Sequence, residues 1–270
     1  IIKMQNKITF NIYIVIFGIL TNFLSFQLEA FDNKQPTLLI TGSNRNIGLE
    51  FVKQYSEKNW NIIATTRQPE TSLELNTFAK DKPNIVVEKL DVTDNEDISA
   101  LAKKYSNQTI DLLLSNAALT PRYRSSFKKI SGVEEDITRQ SFEINALGPL
   151  KIIQAFIPNV KKSQNGKIIA LSSKASSFGE RLKIPMMYSY AMSKSALNSM
   201  MYTLSFETKK QGITAVVLSP GMVNTTPGIK LPGAIETQES VTKMVELIEE
   251  INMDDNGKFI DYEDGRVIPW

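Results

Sequence analysis

After residue 35 the chain alternates short apolar runs with longer segments of helical periodicity. The runs predict seven strands, at 37–41, 61–66, 84–90, 110–116, 167–172, 213–219 and 258–262. The intervening segments predict helices over 47–57, 94–105, 137–162, 188–210 and 238–251. Repeated strand–helix–strand units build parallel sheets with helices on both faces. The pattern therefore predicts a single doubly wound α/β domain over residues 36–270, with a seven-stranded, mainly parallel sheet.

The sequence contains neither cysteine nor histidine. Thiolate and imidazole metal ligands are absent, and so are the residues of a Ser-His-Asp triad, so we predict no metal site. Acid–base chemistry near neutral pH then depends on Tyr, Lys, Asp or Glu. The 31 basic and 29 acidic residues give a net charge of +2, which gives no reason to expect a nucleic-acid partner.

The first 30 residues have the features of a signal peptide or an N-terminal membrane anchor. Residues 8–28 carry no charge, Lys3 and Lys7 precede them, and Leu28-Glu29-Ala30 forms a candidate cleavage site. We expect either membrane association through residues 8–28 with the domain facing the cytosol, or export. If residues 1–30 are not translated, the sequence indicates a cytoplasmic protein.

The turn after the first strand has the features of a phosphate-binding turn, although any strand–helix connection could use such glycines. Gly42 permits a tight turn, and Gly48 allows the following helix to pack near the strand. The free N–H groups at the start of that helix then face an anion. Around these glycines the candidate ligands are Ser43, Arg45, Asn46 and Ile47.

The end of the second strand favours NADP(H) over NAD(H). NAD sites commonly place an acid there to hold the ribose hydroxyls, and residues 64–67 contain none. Arg45 and Arg67 could instead pair with a 2′-phosphate, because the guanidinium group matches phosphate geometry. The alternative is that both are ordinary surface arginines.

Tyr190 and Lys194 form the candidate proton-transfer pair. Their spacing of four places them on one face of the predicted helix. A neighbouring ammonium group would lower the phenol pKa from its usual value of about 10. A simple surface pair is the alternative. Tyr188 is a poorer candidate because Met192, not a lysine, follows it by four residues.

Two further polar residues support this pair. Ser173 ends the fifth predicted strand and could donate a hydrogen bond to a substrate oxygen, or could serve only as a cap. Asn145 lies within a predicted helix between Ile144 and Ala146, which suggests that its amide is buried rather than exposed to solvent.

Together these motifs resemble the short-chain dehydrogenase/reductase family, and the C-terminal residues resemble its C-factor and sniffer-like carbonyl reductase branch. The resemblance implies a Rossmann fold. The motifs occur in the family's order, as Thr41-Gly42…Gly48, Leu90-Asp91-Val92-Thr93, Ser115-Asn116-Ala117-Ala118, Asn145, Ser173, Tyr190…Lys194, Ser219-Pro220-Gly221…Thr225 and Gly257-Lys258-Phe259-Ile260-Asp261-Tyr262…Ile268-Pro269-Trp270.

The resemblance also implies roles for the catalytic residues. Tyr190 would donate a proton to the carbonyl oxygen during reduction, and Ser173 would polarise that carbonyl. Lys194 would bind the nicotinamide ribose and lower the Tyr190 pKa. Asn145 would hold a water molecule that links Lys194 to solvent.

For the cofactor, the resemblance implies that Asp91 touches the adenine and that Asn116 lines the cleft. Residues after the sixth strand would hold the nicotinamide carboxamide. The full predicted cofactor set is Gly42, Ser43, Arg45, Asn46, Ile47, Gly48, Arg67, Asp91, Val92, Asn116, Ala117, Tyr190, Lys194, Pro220, Gly221, Val223 and Thr225.

Three departures from the family pattern bear on the site. Asn46 stands where the family has its middle glycine; Asn tolerates left-handed backbone, yet its side chain could crowd the pyrophosphate. Ala118 also replaces a glycine. Residues 174–189 separate Ser173 from Tyr190 more widely than in many members, and this insertion could shape the substrate pocket.

We therefore predict an NADP(H)-dependent oxidoreductase that reduces a small-molecule carbonyl reversibly, with residues 224–233 as a modest apolar lid. One alternative is a non-catalytic NADP(H)-binding or signalling protein on the same fold, since a fold does not guarantee chemistry. Another is reduction of C=C or C=N bonds. The resemblance implies homo-oligomers that pair through the helices of Asn145 and Tyr190.

Overall fold

The computed structural model describes residues 31–32, 34–120, 126–225 and 231–270. The predicted signal or anchor segment, residues 1–30, lies outside the described residues. Within the described ranges no helix has both the length and the apolar character needed to cross a membrane.

Seven strands form one sheet in the order β3-β2-β1-β4-β5-β6-β7, and each neighbouring pair is parallel. The predicted doubly wound sheet is thus confirmed, and these strands are parallel without exception. The strands are β1 (Thr37–Ile40), β2 (Asn61–Thr66), β3 (Ile85–Lys89), β4 (Leu112–Ser115), β5 (Lys167–Leu171), β6 (Thr214–Ser219) and β7 (Phe259–Asp261).

Seven α-helices connect the described strands: α1 (Asn46–Glu57), α2 (Leu73–Ala79), α3 (Asn95–Lys104), α4 (Glu135–Phe142), α5 (Gly148–Val160), α6 (Tyr188–Lys209) and α7 (Thr237–Glu250). A π-helical turn, Glu143–Leu147, joins α4 to α5, so the predicted helix 137–162 is three consecutive segments. Helix α2 was not predicted, because it is short and buries only Leu75.

The sheet is covered on both faces, and strand residues alternate between the two cores. Leu38 and Ile40 of β1 pack with α1 and α7, whereas Leu39 faces the layer that contains α3, α5 and α6. The β1 and β4 strands are completely buried. This burial explains why the strands read as continuous apolar runs in the sequence.

The strand order reverses direction between β1 and β4, which are neighbours in the sheet. At such a switch point the connections leave the carboxyl ends in opposite directions and open a crevice. The turn after β1 borders this crevice, and β4, β5 and β6 end along it. Every predicted catalytic residue lies at one of these strand ends or on a helix packed beside them.

Candidate active site

Two glycines allow the turn after β1 to lie against its neighbours. Gly42 has a φ of +69°, and a Cβ atom there would lie 2.9 Å from the Ala117 Cα atom. A Cβ atom on Gly48 would lie 2.2 Å from the Gly42 carbonyl oxygen and 2.6 Å from the Asn116 Nδ2 atom. Neither position accepts a side chain without movement of the backbone, so the start of α1 is held close to the strand ends.

Asn46 adopts the left-handed conformation that its replacement of glycine requires, with a φ of +49°. The predicted tolerance of asparagine in this turn is confirmed. Its side chain extends to the loop after β6, where the Nδ2 atom donates to the Thr225 carbonyl oxygen over 3.0 Å. The turn after β1 is therefore tied directly to the loop after β6.

The N-terminus of α1 is suited to an anion. Arg45 precedes the helix in extended conformation and provides no side-chain cap, and the first turn contains no acidic residue. Ser43 turns inward instead, because its N–H and its hydroxyl each donate to the Thr65 carbonyl oxygen over 2.9 Å. Ile47 packs against the core. Ser43 and Ile47 were predicted as cofactor-binding residues. Their side chains support the turn and do not point into the crevice.

Arg45 and Arg67 are both exposed at the edge of the crevice, after β1 and β2. Neither forms an ion pair with an acidic side chain in the part of the chain that the structure describes. Unpaired guanidinium groups beside a helix N-terminus favour a phosphate-bearing ligand.

Asn116 and Thr41 join the carboxyl ends of β4 and β1. The Asn116 Nδ2 atom donates to the Thr41 and Gly42 carbonyl oxygens over 2.9 and 2.8 Å. The Thr41 hydroxyl accepts from the N–H groups of Asn116 and Ala117 over 3.1 and 3.0 Å. The Asn116 amide thus shapes the crevice from behind. Thr41 was missing from the predicted site residues, although it lies in the quoted motif.

Asp91 and Val92 follow β3 at the outer part of the crevice. One Asp91 carboxylate oxygen accepts from the N–H and hydroxyl groups of Thr93 over 2.9 and 2.7 Å. The Val92 side chain is buried in the core, close enough that a Cβ atom on Gly148 would lie 2.9 Å from it. Only the backbone of Val92 remains for a ligand.

The loop after β6 closes the crevice on the opposite side. Gly221 has a φ of +76°, and a Cβ atom there would lie 2.4 Å from the Tyr262 ring. Pro220 accepts from the Ser240 hydroxyl over 2.6 Å, and Val223 pairs with Ile235. The two ends of the predicted lid, residues 224–225 and 231–233, are described; residues 226–230 lie outside the described residues.

Tyr190 lies in the first turn of α6, half-buried, and Ser173 lies near its hydroxyl. Burial raises the Tyr190 pKa to about 12, and the nearby Ser173 hydroxyl opposes that rise. The predicted lowering by Lys194 is therefore wrong for this structure. Desolvation disfavours the phenolate more than nearby groups stabilise it. Near neutral pH the Tyr190 hydroxyl carries its proton.

Lys194 is buried one helical turn further along α6, with a side chain that is 3% exposed. Its Nζ atom donates to the Leu171 carbonyl oxygen at the end of β5 over 2.7 Å and lies 5.9 Å from the centre of the Tyr190 ring. Burial lowers the Lys194 pKa to about 7. The predicted neighbourhood of Tyr190 and Lys194 is confirmed, and the surface-pair alternative does not fit.

Asn145 lies in the π-helical turn and is completely buried, as its apolar neighbours predicted. Its Oδ1 atom accepts from the Leu119 N–H over 2.7 Å, and its Nδ2 atom donates to the Leu119 carbonyl over 3.0 Å. Nδ2 also donates to the Ser193 hydroxyl over 3.0 Å. That hydroxyl in turn donates to the Tyr190 carbonyl oxygen over 2.8 Å. Asn145 therefore links the segment after β4 to α6. The participation of Ser193 could not be predicted from the sequence pattern.

The insertion between Ser173 and Tyr190 is attached to the C-terminal residues and to residue 126. The Ser177 hydroxyl donates to the Pro269 carbonyl oxygen, and the Phe178 N–H donates to the Trp270 carbonyl oxygen. At the other end of the insertion, the Met187 N–H donates to the Ser126 carbonyl oxygen. Phe178 and Leu182 are 71% and 70% exposed. The insertion that follows Ser173 thus carries exposed apolar side chains. Tyr188 is half-buried at the start of α6.

Comparison with known proteins agrees with this geometry. The family model for short chain dehydrogenases matches residues 36–232. An uncharacterised oxidoreductase of Schizosaccharomyces pombe is 31% identical over 252 residues, which span 86% of this chain and 96% of the relative.

Two solved structures are similar over the same region. A carbonyl reductase from chicken fatty liver, with NADPH bound, has a TM-score of 0.80 at 28% identity, covering 87% of this chain and 99% of that one. Carbonyl reductase Sniffer of D. melanogaster has a TM-score of 0.79 at 28% identity, covering 87% and 100%. The chain is an oxidoreductase that belongs to the short-chain dehydrogenase family and is related to carbonyl reductases.

Proposed function

We propose that this protein reduces a carbonyl group to an alcohol with NADPH, and that Tyr190 donates the proton. The observation that carries the proposal is the position of Tyr190, near Ser173 at the end of β5 and with the Nζ atom of the buried Lys194 5.9 Å from the centre of its ring. A phenol whose pKa is raised to about 12 holds its proton at neutral pH, which suits an acid for reduction better than a base for oxidation.

The crevice residues fit a phosphate-bearing dinucleotide. Gly42 and Gly48 allow close approach of the backbone, and α1 presents its N-terminus without a side-chain cap. The exposed Arg45 and Arg67 side chains suit the 2′-phosphate that distinguishes NADPH from NADH. NADPH bound to the similar chicken carbonyl reductase supports the same choice.

When bound, the cofactor supplies the hydride that the carbonyl carbon receives. The Ser173 hydroxyl donates a hydrogen bond to the carbonyl oxygen and polarises it. The Tyr190 hydroxyl gives its proton to that oxygen as negative charge develops, and Tyr190 becomes a phenolate. Lys194, whose pKa lies at about 7, carries positive charge in part of the molecules and stabilises this phenolate until it regains a proton from solvent.

The exposed apolar side chains of Phe178 and Leu182 favour a carbonyl compound with an apolar substituent. Residues 36–270 would form the catalytic domain. Targeting or anchoring by residues 1–30 and pairing of two copies stay predictions.

The test is NADPH consumption by the full-length chain with a panel of aldehydes and ketones. Tyr190→Phe removes the acid and keeps the ring, so we expect kcat to fall by about 10²–10⁴-fold while NADPH still binds. Tyr202→Phe, on the exposed side of the same helix, is the matched control and should retain activity.

Three outcomes would contradict the proposal. Full activity of Tyr190→Phe would exclude Tyr190 as the proton donor. NADPH binding without turnover of any carbonyl would favour the non-catalytic alternative, and turnover of C=C or C=N compounds alone would favour the other reductase alternative.

A further inference from the structure

The Asn46 side chain crosses the crevice in which a dinucleotide would lie. Strands β1 and β6 are separated by β4 and β5 in the sheet, so their axes are about 14 Å apart at a spacing of about 4.8 Å per strand. The turn after β1 and the loop after β6 nevertheless approach each other, since the Asn46 Nδ2 atom lies 3.0 Å from the Thr225 carbonyl oxygen. This hydrogen bond joins residues 179 positions apart.

The backbone at position 46 would favour glycine. Its φ of +49° is left-handed, a conformation that costs any residue with a Cβ atom more than it costs glycine. The side chain is partly buried, and its donor is directed at the opposite loop. Asparagine therefore contributes an interaction across the crevice that glycine could not make.

The amide is also placed where it can serve a ligand. Asn46 is the first residue of α1, beside the uncapped N-terminus that suits the pyrophosphate. An Asn Nδ2 atom carries two N–H groups, and the Thr225 carbonyl uses only one. The second is left for a phosphate oxygen on the same side of the helix start.

We propose that Asn46 and Thr225 form a clasp over the cofactor pyrophosphate, which persists in the complex and slows cofactor release. The proposal rests on the proposed function, because it assumes that the crevice binds NADPH. In this arrangement Asn46 is a positioning residue that links both walls of the crevice and donates to the bound diphosphate. Crowding of the pyrophosphate, the contrary expectation for a side chain at this position, would produce slow binding instead.

The test compares Asn46→Gly and Asn46→Asp with the wild type by stopped-flow displacement of NADPH. Asn46→Gly removes the clasp and relieves the backbone, so we expect the dissociation rate constant to rise about five- to tenfold. Asn46→Asp keeps the shape of the side chain but replaces the donor by a negatively charged acceptor. We expect it to weaken NADPH binding more than Asn46→Gly does, because like charges then meet at the diphosphate.

A second measurement needs no cofactor and separates this proposal from the proposed function. The Asn224 N–H donates to the Ile235 carbonyl over 2.9 Å, next to the clasped Thr225. We expect hydrogen exchange of the Asn224 amide in the free protein to be faster in Asn46→Gly than in the wild type.

Faster exchange and faster NADPH release in Asn46→Gly would support the clasp. If the wild type and Asn46→Gly both bind NADPH and release it at the same rate, the clasp proposal is overturned. NADPH binding by Asn46→Gly alone would also overturn it, since the side chain would then block the crevice. If neither protein binds NADPH or NADH, the proposed function fails as well, while the exchange rates still show whether the hydrogen bond forms.

Discussion

Burial acts in opposite directions on the two ionisable side chains at the start of α6. It raises the pKa of the Tyr190 phenol to about 12 and lowers the pKa of the Lys194 ammonium to about 7, because in both cases it disfavours the charged form. The pair therefore rests with Tyr190 protonated and Lys194 near the midpoint of its titration at neutral pH. In the proposed reduction, the reaction would start from a proton already on the phenol.

The lowered Lys194 pKa predicts a pH dependence of stability. The unfolded chain keeps this proton up to about pH 10, whereas the folded protein releases it at about pH 7, so the unfolded state binds more protons between these values. The free energy of unfolding should therefore rise with pH in this window, by at most about 1.4 kcal/mol per pH unit from this residue.

Urea denaturation between about pH 7 and pH 9 checks this expectation. The difference in unfolding free energy between the wild type and Lys194→Met should change with that slope. Lys209→Met removes an exposed lysine from the same helix and should show no such slope. Parallel pH profiles for all three proteins would mean that Lys194 titrates normally.

Arg45 and Arg67 predict the cofactor preference. Each guanidinium can make charge-assisted hydrogen bonds to a 2′-phosphate, worth about 1.5–3 kcal/mol. Arg45→Ala or Arg67→Ala should weaken NADPH binding by about tenfold or more and leave NADH binding almost unchanged. Arg139→Ala, which removes an exposed arginine paired with Glu135, is the control in the same fluorescence titration. Equal losses for both nucleotides would argue against a 2′-phosphate site.

At the scale of secondary-structure elements, the contact of α1 with the strand ends depends on Gly48. An alanine Cβ atom there would lie 2.2 Å from the Gly42 carbonyl oxygen, and that neighbour is backbone. Gly48→Ala should therefore lower the free energy of unfolding by about 1–3 kcal/mol or prevent folding. A Cβ atom added at Gly132 would make only ordinary van der Waals contacts, at 3.6 Å or more. Gly132→Ala should therefore change the free energy of unfolding by less than about 0.5 kcal/mol.

Thermal and urea denaturation of the two glycine variants measure this difference. A Gly48→Ala protein as stable as Gly132→Ala would mean that α1 can move away from β1 without cost.

The π-helical turn is a second feature at this scale. It inserts a wider turn between α4 and α5, a type of irregularity that is frequent at functional sites. Here it places the Asn145 amide against both Leu119 and Ser193. A regular helix over the predicted span would direct the following residues to different neighbours.

At the scale of the whole molecule, Asp261 connects three distant parts of the chain. Its side chain is 1% exposed and pairs with Lys174, which follows Ser173, over 2.5 Å. It also pairs with Arg266 of the C-terminal residues over 3.0 Å, and Arg266 contacts Glu180 in the insertion. The strand end that holds Ser173 is thus braced against β7 and the insertion together.

Asp261→Asn removes the negative charge between the two cations and should lower the free energy of unfolding by about 1–3 kcal/mol. Asp264→Asn is the matched control, because Asp264 is exposed and its Oδ2 atom lies 3.8 Å from the Arg266 Nε atom. The asparagine Oδ1 atom can still accept from the Arg266 backbone N–H, as the Asp264 Oδ1 atom does over 3.1 Å. That variant should change stability by less than about 0.5 kcal/mol. Indistinguishable urea midpoints for the two variants would show that Asp261 does not brace the fold.

The local pattern of apolar and polar residues was sufficient to predict much of the fold and part of the candidate site. Buried parallel strands need continuous apolar runs, so all seven strands were predicted within a few residues. The spacing of Tyr190 and Lys194 placed both on one helix face, and the position of Ser173 followed from the end of its strand. Helix α2 escaped prediction because it buries too little apolar surface to leave a periodic pattern.

Tertiary structure decided what depends on contacts between distant residues. The Asn46 hydrogen bond to Thr225 joins the turn after β1 to the loop after β6, which lie on the same edge of the sheet but 179 positions apart in the sequence. The hydrogen bonds of Asn116 to the β1 turn and of Asn145 to Leu119 and Ser193 have no signature in spacing. The Tyr190 pKa is raised, whereas the sequence predicted a lowered value. The spacing of Tyr190 and Lys194 indicates a nearby ammonium group, but it does not reveal the desolvation that outweighs it.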